Sequence, residues 1–130
     1  MGIASKALRK KAMSWDDAFT ASRDEAKAAT LDTIVKDVDP FVPYKTGALC
    51  KSVYKDVPTS TIGYSAPYAS YAFNPISASG KPKRYTKTVH PLARGNPIDH
   101  AEKLYRFKWA DVFRKEMLAR AVRRIRKSVE

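Results

Sequence analysis

Leu31, Ile34, Val35 and Val38 recur at spacings of three and four, the period of one helix face. Ser14 stands before Trp15, Asp16 and Asp17. A serine there can accept an orphan backbone N–H, and acids in the first turn oppose the positive end of the helix dipole. The pattern therefore predicts a helix from about residue 14 to Asp37, with Ser22 and Glu25 offering a later start. Pro40 and Pro43 end it. Beyond Gly47 the period changes to two. Val53, Lys55 and Val57 alternate with Tyr54 and Asp56, and Ile62 and Tyr64 share a face within Thr61–Ala66. Both stretches read as strands, joined by a hairpin turn at Pro58, Thr59 and Ser60. Tyr68–Phe73 follows Pro67 and reads as a third strand or strand edge. In Arg84–His90, Tyr85, Lys87 and Val89 alternate with Thr86 and Thr88, predicting a further strand.

Between these, residues 74–83 (NPISASGKPK) are a loop by composition, and Pro91, Gly95 and Pro97 mark another. From about Ile98 the period is helical again. Leu118, Ala121, Val122, Ile125 and Val129 form a stripe opposite Arg114, Lys115, Arg120, Arg123, Arg124 and Lys127. The order helix, strands, helix predicts an α+β fold: an N-terminal helix, a small antiparallel sheet of three to four strands, and a C-terminal helix packed on the sheet. The expected organisation is a basic arm over residues 1–13 and a single α+β domain over 14–130 with an extended loop at 74–83. A length of 130 residues, 44% of them hydrophobic, is enough for one core.

Charge changes the picture more than composition does. The net charge is +12, unevenly placed: +4 over residues 1–12, −4 over 14–40, +5 over 81–94 and +6 over 101–130. Such asymmetry points to contacts with complementary surfaces, nucleic acid or protein. Lys81, Lys83, Arg84 and Lys87, interleaved with Tyr85, suit phosphate contacts with stacking, or an acidic protein face. The acids Asp16, Asp17, Asp24, Glu25, Asp32 and Asp37 read as a solvated or docking face rather than a catalytic dyad.

Candidate chemistry is thin. No phosphate-binding glycine loop is present. His90 and His100 fall on different predicted elements without ligand spacing, and read as surface or loop histidines rather than metal ligands. Cys50 is the single cysteine, so an internal disulfide and a zinc site built on several cysteines are both excluded. It reads as a small buried or half-buried side chain. No catalytic, cofactor or metal-binding residue is assigned, and no apolar run is long enough to span a membrane.

The stretch FVPYKTGALCKSV (Phe41–Val53) resembles a "VPYdTGaLrrSv" signature, and IGYSAPYASYAF (Ile62–Phe73) is similar to the "PYArYqy" block that accompanies it. Both belong to the minor capsid, neck and tail-completion family of long-tailed bacteriophages. The resemblance rests on Pro43, Tyr44, Thr46, Gly47, Leu49, Pro67 and Tyr68, and extends loosely to His90-Pro91 and the helix carrying Trp109. Departures are Cys50 at an expected polar position, Ser70 at an expected basic one, and Asn74-Pro75 where the family has a glycine.

Residue chemistry assigns the TG turn a structural role. Thr46 can bond local backbone, Gly47 can take positive φ, and Leu49 and Val53 then start an apolar strand face. The resemblance implies a non-enzymatic virion protein assembled in the host cytoplasm. It implies a homo-oligomeric ring, six- or twelvefold, at the head–tail junction around the DNA channel. Its neighbours would be connector or head-closure proteins and tail-tube or terminator proteins, with genomic DNA in the lumen and no membrane. A tail-terminator ring is the nearer alternative. A small basic nucleic-acid-binding protein or ribonuclease, using His90, Lys87 and Arg84, is the alternative from another class. Candidate inter-subunit or DNA contacts are Lys6, Arg9, Lys10 and Lys11 in the arm and Lys81, Lys83, Arg84 and Lys87 in and after the loop.

Overall fold

The computed structural model describes residues 11–130; Lys6, Arg9 and Lys10 of the basic arm lie outside the described residues. Helix α1 spans Trp15–Val38. Its Ser14 Oγ accepts from Asp17 N at 3.1 Å, the N-cap expected from the sequence. A 3-10 turn, Asp39–Phe41, carries the chain off the helix with Pro40 in its first positions. The short helix α2 (Ala48–Lys51) follows Gly47. Strands β1 (Val53–Asp56) and β2 (Thr61–Tyr64) then form an antiparallel hairpin with Val53 opposite Tyr64 and Asp56 opposite Thr61. Ser60 closes the turn in the left-handed region (φ 55°), its N–H donating to Val57 O at 3.0 Å. Helix α3 (Ala69–Phe73) is one turn long, and helix α4 (Pro97–Ser128) completes the chain.

Helices α1 and α4 pack antiparallel along most of their length. Met13 N donates to Ser128 Oγ at one end, and Asp37 meets Lys108 and Trp109 at the other. The close approach comes from Ala18, Ser22, Ala26 and Thr30, four small residues at intervals of four, all buried. Ala121 of α4 is buried as well. Long side chains reach across the seam: Arg124 Nε donates to Ser22 Oγ at 3.1 Å and its guanidinium pairs with Glu25, which Arg120 also contacts at 3.4 Å. At the far end Trp109 Nε1 donates to Asp37 Oδ2 at 2.8 Å, and Lys108 Nζ bonds the same carboxylate at 3.0 Å.

The apolar core gathers at that same end. Val38, Phe41, Val42, Leu49, Ala69, Ala101 and Trp109 are buried together, with Ile34, Ile62, Tyr64, Phe73 and Ile98 packed around them. The chain is therefore α+β, with an N-terminal helix, a two-stranded antiparallel sheet and a C-terminal helix.

Two predicted strands are corrected. Tyr68–Phe73 forms α3, because Pro67 opens a turn in which Ala69 N bonds Ala66 O at 2.9 Å and the chain continues helically. Arg84–His90 has no regular structure; Tyr85 uses its hydroxyl on the carbonyls of Ala72 (2.9 Å) and Asn74 (3.2 Å) instead of joining a ladder. The sheet of three to four strands is thus a hairpin among the described residues, supplemented by one isolated bridge, Ile76 with Pro82. The packing of the C-terminal helix is also corrected: its main partner is α1, and the hairpin lies against the end of this helix pair. An ion pair between Lys55 and Asp32 ties β1 to α1. Leu49 lies in α2 as a core residue rather than starting a strand face.

Asp37 is largely buried and serves two donors at once. Asp37→Ala strands the Trp109 indole N–H in the core. The expected loss is roughly 2 kcal/mol, read as a lower urea midpoint at unchanged m-value.

Candidate functional site

The two sequence blocks and the basic loop meet on one surface. A cleft of about 630 Å³ is lined by Tyr44, Lys45, Thr46 and Leu49 from the first block, Tyr68 and Tyr71 from the second, Lys83 at the end of the loop, and Arg84 and Tyr85 just after it. Three local devices build it. Gly47 takes φ 83°, which an L side chain rarely adopts, and a Cβ there would lie only 2.9 Å from the Tyr44 hydroxyl. Thr46 Oγ1 accepts from Ala48 N at 3.4 Å and so helps to start α2. Pro67 sets the turn that presents Tyr68 and Tyr71, both exposed, to the cleft.

The loop is fixed to the body by polar contacts. Lys83 Nζ lies 3.5 Å from the centroid of the Tyr71 ring and also donates to the Tyr71 carbonyl. Its backbone N–H bonds Pro75 O at 2.8 Å. Burial pushes the Tyr85 phenol above its ordinary pKa, with the neighbouring Tyr71 contributing, which keeps it a donor to the two carbonyls it holds. Lys45 and Arg84 stay exposed at the cleft. Of the candidate contacts, Lys83 and Arg84 therefore join the motif residues. Lys81 and Lys87 are exposed and do not line the cleft, and Lys11 is exposed on the segment preceding α1.

Behind the cleft lies a group of side chains that the sequence did not connect. A sulfur of Cys50, a ring nitrogen of His90 and a carboxylate oxygen of Asp39 all lie within 4.8 Å of one another. His90 Nδ1 is 2.8 Å from Val42 O, so it carries the proton and donates it, leaving Nε2 to face Asp39 Oδ2 at 3.6 Å. The ring of His90 packs against Tyr44, with centroids 5.0 Å apart. His90 lies in an irregular stretch, as the loop reading expects, but its side chain is only 14% exposed. Cys50 is half-buried, as expected, and burial together with the Asp39 carboxylate pushes its thiol up to about 11. A thiol held protonated in this way is a poor nucleophile. Tyr64 is pushed up more strongly by burial and by the charges of Asp39 and Cys50, and its buried hydroxyl has no hydrogen-bond partner among the described residues.

His100 serves a different contact. It stands edge-on to Phe41 at 4.9 Å, and its Nδ1 is 2.8 Å from Arg94 Nη1. No helix among the described residues is long and apolar enough to cross a membrane.

The cleft thus presents exposed cations and aromatic rings on the surface of a small α+β protein. The family model for minor capsid proteins matches residues 8–117, a span that includes both motif blocks and the cleft, and the chain belongs to that phage family. It is accordingly a structural component of the virion. No curated protein and no solved structure matches the chain.

Gly47→Ala places a methyl group against Tyr44 in a left-handed backbone. The expected cost is about 1–2 kcal/mol, measured by chemical denaturation, with a shift in the near-ultraviolet signal of Tyr44 as the turn relaxes.

Proposed function

We propose that the chain is a subunit of the phage neck, forming a ring at the head–tail junction around the DNA channel. The observation that carries this reading is the convergence of both motif blocks with Lys83, at the end of the 74–83 loop, and with Arg84 and Tyr85 just after it, on one basic, aromatic cleft. An enzyme would need acid–base groups converging on an open site; here His90 is turned inward onto Val42 and Asp39, away from the role a ribonuclease reading requires. A joint between rings needs repeated modest contacts rather than one tight one, because multiplicity raises the avidity.

A second surface supports self-association. Leu104, Phe107 and Leu118 are exposed on α4, Phe107 at 77%. Their successive spacings of three and eleven residues put them on one side of the helix. That side would pack between neighbouring subunits, leaving the cleft, with Lys45 and Arg84, to meet an acidic face of the adjacent ring.

Cryo-electron microscopy of intact particles tests the reading. The expected result is a six- or twelvefold ring of this chain between portal and tail. Density at the head-proximal end of the tail tube would move the assignment to a tail terminator, and absence from particles would reject both. Phe107→Asp is expected to reduce ring formation at least about tenfold by native mass spectrometry, with unchanged thermal stability, since an exposed position contributes little to the fold. Lys45→Glu with Arg84→Glu is expected to leave the ring intact while lowering incorporation into particles.

A further inference from the structure

The geometry points to a zinc site formed by Asp39, Cys50 and His90, which fastens the floor of the cleft to the end of the helix pair. This goes beyond the role in the virion and stands independently of it. The three residues come from three separate segments: the 3-10 turn after α1, the short helix α2, and the irregular chain before α4. Their donor atoms lie within 4.8 Å of one another, and His90 Nε2 and Asp39 Oδ2 are 3.6 Å apart. Tetrahedral zinc with bonds of about 2.0–2.3 Å needs ligand atoms roughly 3.3–3.6 Å apart. Small side-chain adjustments therefore suffice to close the site.

Three features fit zinc in particular. The donor set of thiolate, imidazole and carboxylate is the mixture that a borderline metal takes. The histidine is already oriented as a ligand: its Nδ1–H is given to the Val42 carbonyl, which fixes the tautomer and turns the Nε2 lone pair towards Asp39. The Tyr64 hydroxyl, buried beside this cluster without a hydrogen-bond partner among the described residues, is an unused polar group. On binding, the Cys50 thiol releases its proton to solvent as the sulfur–zinc bond forms. The metal replaces the weak contact of Cys50 Sγ with Pro43 O, 3.9 Å long.

The consequence for the cleft is mechanical. Tyr44 packs on the ring of His90, and Pro43, Tyr44 and Leu49 line the cleft. Zinc would hold these segments to one another where, among the described residues, no sheet does so.

The test uses the full chain, stripped with a chelator and titrated with cobalt and then zinc. One cobalt per chain is expected, with a thiolate charge-transfer band in the near ultraviolet and the intense visible bands of four-coordinate cobalt, both displaced by zinc. Zinc at a hundredfold excess over its Kd is expected to raise the thermal midpoint by roughly 5–10 °C. Cys50→Ser should abolish the charge-transfer band, and His90→Gln should weaken binding at least about a hundredfold, while His100→Ala keeps it. Should Cys50→Ser fail to fold, Asp39→Asn supplies the same comparison through affinity. Absence of the band in the unsubstituted chain overturns the proposal, as does a band that survives Cys50→Ser. These readouts are taken on the isolated protein, so their failure leaves the neck assignment untouched, and the reverse also holds.

Discussion

The antiparallel pairing of α1 with α4 is the constraint on which the rest of the molecule depends. Residues 39–96 hold a 3-10 turn, a two-stranded hairpin, two helices of one turn or so and one isolated bridge, too little to fold alone. They leave α1 and return to α4 at the same end of the helix pair, so that pair supplies the surface against which the segment condenses. The seam is narrow because Ala18, Ser22, Ala26 and Thr30 leave no bulk between the helices. Close approach maximises dispersion along the seam. It also brings Arg120 and Arg124 within reach of Glu25, and Trp109 within reach of Asp37. The Asp37–Trp109 bond marks where the seam passes into the apolar core, and it fixes the register of one helix on the other.

The irregular segment is tied down residue by residue. Arg94 N bonds Phe41 O at 3.0 Å, Asn96 N bonds Phe73 O at 2.8 Å, and the Tyr85 hydroxyl holds Ala72 and Asn74. Gly95 lies so close to Pro75 that a Cβ would fall 2.7 Å from its ring. In the hairpin, the Tyr54 ring covers Gly63 directly across from it, shielding a backbone that lacks its own side chain. The hydrogen bonds among these contacts satisfy backbone groups that would otherwise need a sheet neighbour.

That distinction explains what was legible in the sequence. The capped start at Ser14, the proline stop after Val38, the hairpin over 53–64 and the start of the last helix are all written in local patterns, and each lies where the pattern puts it. So is the left-handed turn at Gly47. Tyr68–Phe73 is too short to show a helical period, and its aromatic content imitates a strand. The alternation in Arg84–His90 is real, but a strand needs a partner edge, and the chain offers none there among the described residues. The small-residue seam carries no hydrophobic stripe, because Ala, Ser and Thr do not form an apolar face even at a spacing of four. The meeting of Asp39, Cys50 and His90 has no local signature at all. It depends on where the helix pair delivers three distant segments.

Charge shows how far such tertiary delivery can change a reading. The acidic segment between basic ones suggests a surface awaiting an external partner. In the fold, much of it is answered internally: Glu25 by Arg120 and Arg124, Asp37 by Lys108, and Asp32 by Lys55. Most of these pairs are partly exposed and add little stability individually, but they select the antiparallel arrangement in which acidic α1 faces basic α4. Pairing these acids within the chain leaves positive charge among the described residues on Lys45 and Arg84 at the cleft, on exposed Lys81 and Lys87, and on the exposed cations of α4. The exposed positive charge of the described residues is therefore displaced from the helix seam towards the cleft and the outer helix, where the motif residues and the exposed row of Leu104, Phe107 and Leu118 already lie.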